Sequence, residues 1–437
     1  MASDGTGRST TDRVVRRLSA EDLSILALEN ETVAGHSCKV IVLGGSIDLD
    51  LLRASISARL HRAPDLCMRL STVDGEACWV SERQVDVSAH VLLCDADTCD
   101  EAALRAAVAR SFEQRLDRSR PLWGIEVVPR LAGGGSALIW RIHHALADGW
   151  TAMHLAGSVL WQEEPKAATH TRKHSPVTAD PRSLAHHRLG IMRTAAREAP
   201  EPWLRSPFDG HISARREVAF ATAELDRLRQ VAHATNHATV NDAVLTVVAG
   251  GLRRWLEARH GHLGSVRVKV PVSLHNRSLT SSGQAQPGNR DSFFCLDLPL
   301  ETADPLERLD AIRRATVARK EGHDAEHLDA LMRELASVPR LRHFAERVLT
   351  HPRSFALNVS NVPGPHRPIH VLEAPVRGLY SMAEIRELHA LRVGVVSHAN
   401  TLSFGLVADP TILPDVDALA ADFQAEAAAL TARLTPA

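Results

Sequence analysis

An apolar segment, Ala137-Leu138-Ile139-Trp140-Arg141-Ile142, runs without a break into His143-His144-Ala145-Leu146-Ala147-Asp148-Gly149. The first part reads as a buried strand. Any sheet this chain builds must therefore end one strand on two histidines, a carboxylate four residues on, and a glycine. In neutral imidazole one ring nitrogen accepts a proton while the bond made by the other sets the tautomer, and an ordinary pKa of about 6.5 suits general-base work near neutrality. His144 is the candidate base, because a peptide that turns directly after the strand projects it into a cleft. His143, on the opposite side of an extended backbone, faces inward or orients its neighbour. Asp148 either pairs with His144 or holds the loop by bonding a distant arginine; the second role is favoured because Gly149 implies a sharp turn that needs anchoring. The bland alternative is a chance pair in a chain with 24 histidines, beside an ordinary structural His-Asp contact. A metal is not expected, since no H-E-x-x-H and no third ligand at a recognisable spacing accompanies the pair.

With 437 residues the chain suits two cores of roughly 200 residues each. A hydrophobic fraction of 44% beside 24% charged residues is that of a soluble globular protein. The formal net charge of -1 argues against a general nucleic-acid binder. Six cysteines without a C-x-x-C pair read as buried or incidental thiols in a reducing cytoplasm. Residues 1–17 are polar, lack the apolar core of a signal peptide, and read as a disordered lead-in. No run approaches the roughly 18 to 20 apolar residues that span a bilayer, so membrane contact is expected to be peripheral.

Strand-like and helical segments alternate throughout. Ser19 with Asp22 has capping-box spacing and opens a helix on Leu23, Ile25, Leu26 and Leu28. Lys39–Leu43 reads as a strand; Leu51, Leu52, Ile56 and Leu60 mark one helix face, and Leu104, Ala107, Val108 and Phe112 another. Trp123–Val128 and Ala137–Ile142 read as strands around the turn Gly133-Gly134-Gly135, and a helical pattern resumes over Met153–Trp161. Residues 162–211 are rich in Lys, Arg, His and Pro and read as a linker. Its basic character is that of a solvated surface or of a strip for anionic lipid heads or CoA phosphates. Thr239 with Asp242 opens a helix through Val244, Leu245, Val248, Leu252, Trp255 and Leu256. Val266–Leu274 and Ser292–Leu298 read as strands, Pro305–Lys320 and Glu326–Leu349 as helices, and Phe355–Val359 as a strand closed by Pro363-Gly364-Pro365. Arg392–Ser397 and Leu402–Val407 read as a hairpin. The expected division is 1–17 lead-in, 18–161 first domain, 162–211 linker and 212–437 second domain.

These segments resemble, in order, the blocks of the bacterial wax ester synthase/acyl-CoA:diacylglycerol acyltransferase family. That family sits in the HHxxxDG superfamily with chloramphenicol acetyltransferase and peptide-synthetase condensation domains. Leu18-Ser19-Ala20-Glu21-Asp22 and Leu26-Ala27-Leu28-Glu29 resemble the family's opening, Pro121-Leu122-Trp123 its PLW element, and His143 to Gly149 its active-site motif. Asn241-Asp242, with Ala243 to Leu256, resembles its ND helix. Pro271-Val272-Ser273-Leu274, Gly288-Asn289-Arg290, Asn361-Val362-Pro363-Gly364-Pro365 and Ser403-Phe404-Gly405-Leu406-Val407-Ala408-Asp409 resemble the remaining blocks. HHxxxDG alone identifies only the superfamily; the ordered set narrows it to this family.

The resemblance implies two chloramphenicol-acetyltransferase-like α/β domains with mixed sheets and an active-site channel between them. It implies that His144 takes the proton of an acceptor hydroxyl, which attacks an acyl-CoA thioester without an acyl-enzyme. The acceptor would be a long-chain alcohol or diacylglycerol and the product a wax ester or triacylglycerol, with acyl-CoA as co-substrate and no resident cofactor. Asn241 would either donate to the oxyanion or brace the helix start, and Asp242 would be structural. Trp123 would pack in the core or touch substrate. Asn361 and Gly364 would shape the turn lining the channel, with Pro121 and Leu122 as structural members of their block. A membrane or lipid-droplet surface is the implied peripheral partner; the charged linker and an aromatic content of 4% weaken that implication. Two other readings stand beside it: the same fold acylating a specialised metabolite, with a carrier-protein donor, and a non-catalytic lipid- or CoA-binding protein.

Overall fold

The computed structural model describes residues 14–95, 98–162, 190–198, 206–261, 263, 266–273, 291–335, 351, 353–386 and 388–434. Most of the linker, the Gly288-Asn289-Arg290 block, Leu274 and the helical reading of 336–349 lie outside them. The first half runs β1 (Val15–Arg17), α1 (Ala20–Ala27), β2 (His36–Leu43), α2 (Leu49–Arg59), β3 (Met68–Val73), β4 (Glu76–Ser81), β5 (Val91–Leu93), α3 (Glu101–Glu113), β6 (Trp123–Val128), β7 (Ser136–His143) and α4 (Gly149–Val159). The second runs β8 (Asp209–Gly210), β9 (Glu217–Glu224), α5 (Leu225–Ala234), α6 (Val240–His260), β10 (Arg267–Ser273), β11 (Asp291–Asp297), α7 (Pro305–Glu321) and α8 (Asp324–Leu335). It continues with β12 (Leu357–Val362), β13 (His370–Val371), β14 (Ala374–Ala383), β15 (Leu388–His389), β16 (Leu391–His398), β17 (Thr401–Ala408) and α9 (Val416–Thr431).

Local chemistry accounts for many boundaries. Ser19 and Asp22 exchange the two bonds of a capping box, each 3.0 Å, and Thr239 and Asp242 repeat the device at α6. α6 ends at Gly261, whose φ of 67° closes the helix in the left-handed region. β16 and β17 form the expected hairpin, with His398 paired to Thr401 across a tight turn. The strand expected at Phe355–Val359 sits later, at Leu357–Val362, because the ladder to β16 continues through Val362↔Val396 until Pro363 removes the donor.

Among the described residues two six-stranded mixed sheets organise the chain, in the orders β13-β14-β2-β7-β6-β5 and β11-β10-β12-β16-β17-β9. One apolar core packs α2 and α4 against the first sheet; another packs α6, α7 and α9 against the second. A third, built around α3, fills the space where Val218 and Val407 of the second sheet meet Val40 and Ile139 of the first. There the backbones come close: a Cβ on Gly394 would lie 2.2 Å from the Ser381 carbonyl oxygen.

Three boundaries differ from expectation. The lead-in does not extend to residue 17, because Val15–Arg17 pairs with β4 and Arg16 bridges Asp65 at 3.2 Å. The range 212–437 does not stay in one lobe: β14 runs antiparallel to β2, from Val376↔Leu43 to Ala383↔Ser37, so a late segment completes the first sheet. β2 would otherwise present an unpaired apolar edge. Part of the 162–211 range is packed structure. Thr194 and Glu198 are buried on a helical segment, where Thr194 bonds Asp324 at 3.1 Å and Glu198 accepts from the Cys295 N–H at 3.1 Å. Arg319 stands 3.4 Å from Glu198, so this acidic residue is an interior ion partner.

Candidate active site

The end of β7 is held from both sides. The His143 N–H donates to the Leu122 carbonyl at 2.9 Å, and the His144 N–H donates to the Gly35 carbonyl at 3.0 Å. Pro121 and Leu122 therefore act through the backbone: the Trp123 N–H turns back to the Pro121 carbonyl at 2.9 Å, and Leu122 is fully buried. Trp123 itself lies in the core, 3% exposed, its indole donating to the Leu66 carbonyl at 2.8 Å and stacking on His90. That is the packing alternative.

His143 is buried and knits the loop. Its carbonyl accepts from Leu146 and Ala147, and Nδ1 accepts from the Ala145 N–H at 3.1 Å. An accepting Nδ1 places the proton on Nε2, which faces the buried Glu29 carboxylate 3.9 Å away. Arg118 pairs with the same carboxylate. Burial, then the positive charges of His144 and Arg118, lower the His143 pKa to about 3, so the ring is neutral at physiological pH.

His144 is half-buried, with Nδ1 in the interior. Its pKa falls to about 4 because burial disfavours the cation and the guanidiniums of Arg392 and Arg386 repel a proton. A bond from the ring to the residue's own carbonyl and the charge of Asp148 act the other way. Arg392 lies on β16 and Arg386 beyond the end of β14, so the field at a histidine of the first half comes from the second half of the chain.

Asp148 anchors the turn locally. It is the N-cap of α4, its carboxylate accepting from the Thr151 N–H at 2.7 Å. The helix thus begins at Gly149, four residues before the expected start. Gly149 is helical rather than left-handed, and a Cβ there would stand 3.0 Å from Val362 Cγ2, a tight contact. That contact brings the motif against the Asn361–Gly364 block. Asn361 pairs with Val395, and Gly364 takes a bond at 3.2 Å from its N–H to Ser397 Oγ, where a Cβ would sit 2.0 Å from the Ser397 carbonyl oxygen. Asn241 occupies the first turn of α6, half-buried, while the cap itself is made by Thr239 and Asp242. Asp242 is buried and accepts from Thr316 Oγ1 at 2.6 Å, tying α6 to α7.

Sequence reasoning missed four contributors. Gly35, at φ 72°, supplies the carbonyl for His144, and a Cβ there would meet His143 Nε2 at 2.8 Å. Glu29 was noted only as part of an opening block. Lys39 is buried on β2, donates to Ser381 Oγ at 2.5 Å and feels the Asp148 charge; burial lowers its pKa to about 8. Arg392 was read only as the first residue of a hairpin strand. Among the described residues no group of three or more His, Cys, Asp or Glu side chains is placed to hold a metal ion.

The two mixed-sheet lobes, with the clamped strand end of His144 facing charges from the second, have the fold of two chloramphenicol-acetyltransferase-like domains. The family model described as the wax ester synthase/diacylglycerol acyltransferase catalytic domain matches residues 18–201, and the WS/DGAT C-terminal domain matches 287–431. The chain belongs to the wax ester synthase/diacylglycerol acyltransferase family. A putative diacylglycerol O-acyltransferase of Mycobacterium tuberculosis strain H37Rv is 28% identical over 474 residues, covering 97% of this chain and 99% of that protein. A second from the same strain is 29% identical over 383 residues, 79% of this chain and 75% of that protein. The wax ester synthase/diacylglycerol acyltransferase of Marinobacter aquaeolei VT8 superposes with a TM-score of 0.70 at 22% identity, covering 95% and 98% of the two chains. The first condensation domain of the CDA synthetase superposes at 0.60 with 16% identity, covering 96% and 98%. Among the described residues no helix is long and apolar enough to cross a membrane.

Proposed function

We propose that the chain transfers a fatty acyl group from acyl-CoA to the hydroxyl of a long-chain alcohol or diacylglycerol, with His144 as general base. His144 takes the hydroxyl proton, the oxygen attacks the thioester carbonyl, and the tetrahedral oxyanion collapses to ester and CoA thiolate. The imidazolium then returns the proton to the thiolate. The observation that carries this reading is the setting of His144: its backbone is clamped by Gly35, its ring is neutral at pH 7, and the arginines that repel a proton from it come from the other half of the chain. His143 is the orienting partner, held in one tautomer by the Ala145 N–H. Asp148 and Gly149 hold the loop. Asn241, on the first turn of α6, is the candidate amide donor to the oxyanion. No resident cofactor enters this scheme. A lipid acceptor would be met at a membrane or droplet surface, where the exposed Leu51, Leu92 and Leu93 on the adjoining α2 and β5 offer apolar contact; co-sedimentation with triacylglycerol emulsions tests that point.

The deciding assay is thiol release from palmitoyl-CoA with hexadecanol or diacylglycerol. His144→Ala should lower kcat by about 10² to 10⁴-fold. Wild-type rates in the variant remove His144 as the base, and absence of ester product from the wild type with either acceptor removes the substrate assignment.

A further inference from the structure

The amide oxygen of Asn358, on β12, is buried and has no hydrogen-bond partner among the described residues. Most buried side-chain polar atoms are partnered, so an exception needs a cause. Asn358 pairs with Lys269 of β10 on one side and Arg392 of β16 on the other, and directly opposed residues share a face. The alternate positions Leu357, Val359, Leu391 and Val393 fill the core beneath α6, so Asn358 is on the sheet's other face. Val362, four residues on along that face, packs against the core of the first lobe and is the residue a Cβ on Gly149 would meet. At about 3.3 Å per residue, Asn358 is about 13 Å along one strand from the point where β12 meets the histidine motif.

Asn358 opens on a cavity of about 40 Å³ that Phe355, Ile385 and Leu391 also line, beside Arg386 and Arg392, the two cations whose field reaches His144. A water needs about 10 to 15 Å³, so a few heavy atoms fit there: an amide or ester carbonyl does, a nucleotide does not. Charge is disfavoured in this place. Burial, then the field of Arg386, lower the Lys269 pKa to about 7, and Lys269 Nζ stands 3.6 Å over the Phe293 ring. The carboxylate of Glu384 is committed to Arg216 at 2.8 Å and to the Ala34 N–H at 3.3 Å, while Arg392 donates to the Glu384 carbonyl at 3.0 Å. Asn358 offers a neutral bond instead: its oxygen accepts from an N–H, and the amide turned end for end donates to a carbonyl.

We propose that Asn358 is a specificity-determining contact for a neutral carbonyl group, an amide or an ester, carried by one of the two substrates. It rests on the acyltransferase reading and extends it to what a substrate must carry beyond its reacting atoms. Two sources share the chemistry: the pantetheine amides of the thioester donor, and the ester carbonyls of a glyceride acceptor.

Thiol release by the full-length protein would be compared within two matched pairs. Palmitoyl-pantetheine is set against S-hexyl thiopalmitate, which lacks the amides, with hexadecanol as acceptor; dioctanoylglycerol is set against its dioctyl ether, with palmitoyl-CoA as donor. A hydrogen bond made by one member and left unmade by the other predicts about tenfold in kcat/KM for the carbonyl-bearing member of at least one pair. Asn358→Leu should abolish that ratio while Tm holds or rises, because leucine fills the same place and removes an unpaired buried amide. Preference within the donor pair places the carbonyl on the pantetheine arm; preference within the acceptor pair places it on the glyceride. Equal kcat/KM within both pairs in the wild type, or a ratio that survives Asn358→Leu, overturns the proposal. If no pair releases thiol in the wild type, the acyltransferase reading falls, and calorimetry with pantetheine and with dioctanoylglycerol reads the contact alone. Binding of either that weakens about tenfold in Asn358→Leu supports the contact; no binding, or binding the variant leaves unchanged, overturns it.

Discussion

The acid limb of the rate profile should lie well below that of an ordinary histidine, and an arginine from the other lobe should set its position. His144 falls from 6.5 to about 4, on the order of 3 kcal/mol between its two protonation states. Burial is the largest cause and Arg392 the second. A base must be unprotonated to act, so kcat/KM should hold from neutrality down to about pH 5 and be halved only near pH 4. A guanidinium repels an incoming proton, so Arg392→Gln should raise the midpoint. With an effective dielectric of about 20 and side-chain separations of several ångströms, the rise is on the order of one pH unit. The assay is thiol release from palmitoyl-pantetheine, which carries no phosphate to titrate, with circular dichroism at each pH to restrict the profile to folded protein. A wild-type midpoint near 6.5 would refute the burial argument. An unmoved or lowered limb in Arg392→Gln would refute the charge argument.

The depressed His143 pKa has a separate consequence for stability: the unfolded chain takes a proton near pH 6.5 that the folded chain refuses until about pH 3. Folding stability should therefore be lost as pH falls through that window, by about 2 kcal/mol from this residue at pH 5, and urea midpoints that rise on acidification would count against it. His143→Ala strips the Ala145 N–H of its acceptor and leaves a cavity, so it should cost about 3 kcal/mol in urea denaturation; a cost below experimental error would show that the ring does not organise the loop. Asp148→Ala should lose about 1 kcal/mol with the α4 cap while Asp148→Asn loses less, and the opposite order would sink the capping role. Gly364→Ala should be more destabilising than Gly149→Ala, since the first new methyl meets a backbone carbonyl at 2.0 Å and the second a movable valine methyl at 3.0 Å; equal thermal melts would contradict that comparison.

Much of this molecule was legible before any coordinates. Capping boxes at Ser19 and Thr239, the strand Trp123–Val128, the β16–β17 hairpin and the motif carrying His144 all follow from spacings of three or four residues or from alternation. Rules of that range act within one turn or one strand, so they predict elements and caps. They also favoured a structural Asp148, and its carboxylate caps the adjacent helix start. The turn expected at Gly149 is a helix start capped by Asp148, four residues before the expected helix.

The sequence by itself determined many of the elements and the ordered motifs. Tertiary structure alone decided who stands around His144. Gly35 lies more than a hundred residues before His144, and Arg392 more than two hundred after it. The β14–β2 ladder joins the end of the chain to its beginning. Lys39, Asn358 and Lys269 read as ordinary strand positions until cross-strand register put them beside Ser381, Arg392 and one another. Spacing along a chain records which face a residue takes; which charges meet across that face depends on strand pairing, a long-range choice set by burial of the sheets and not written in any local window.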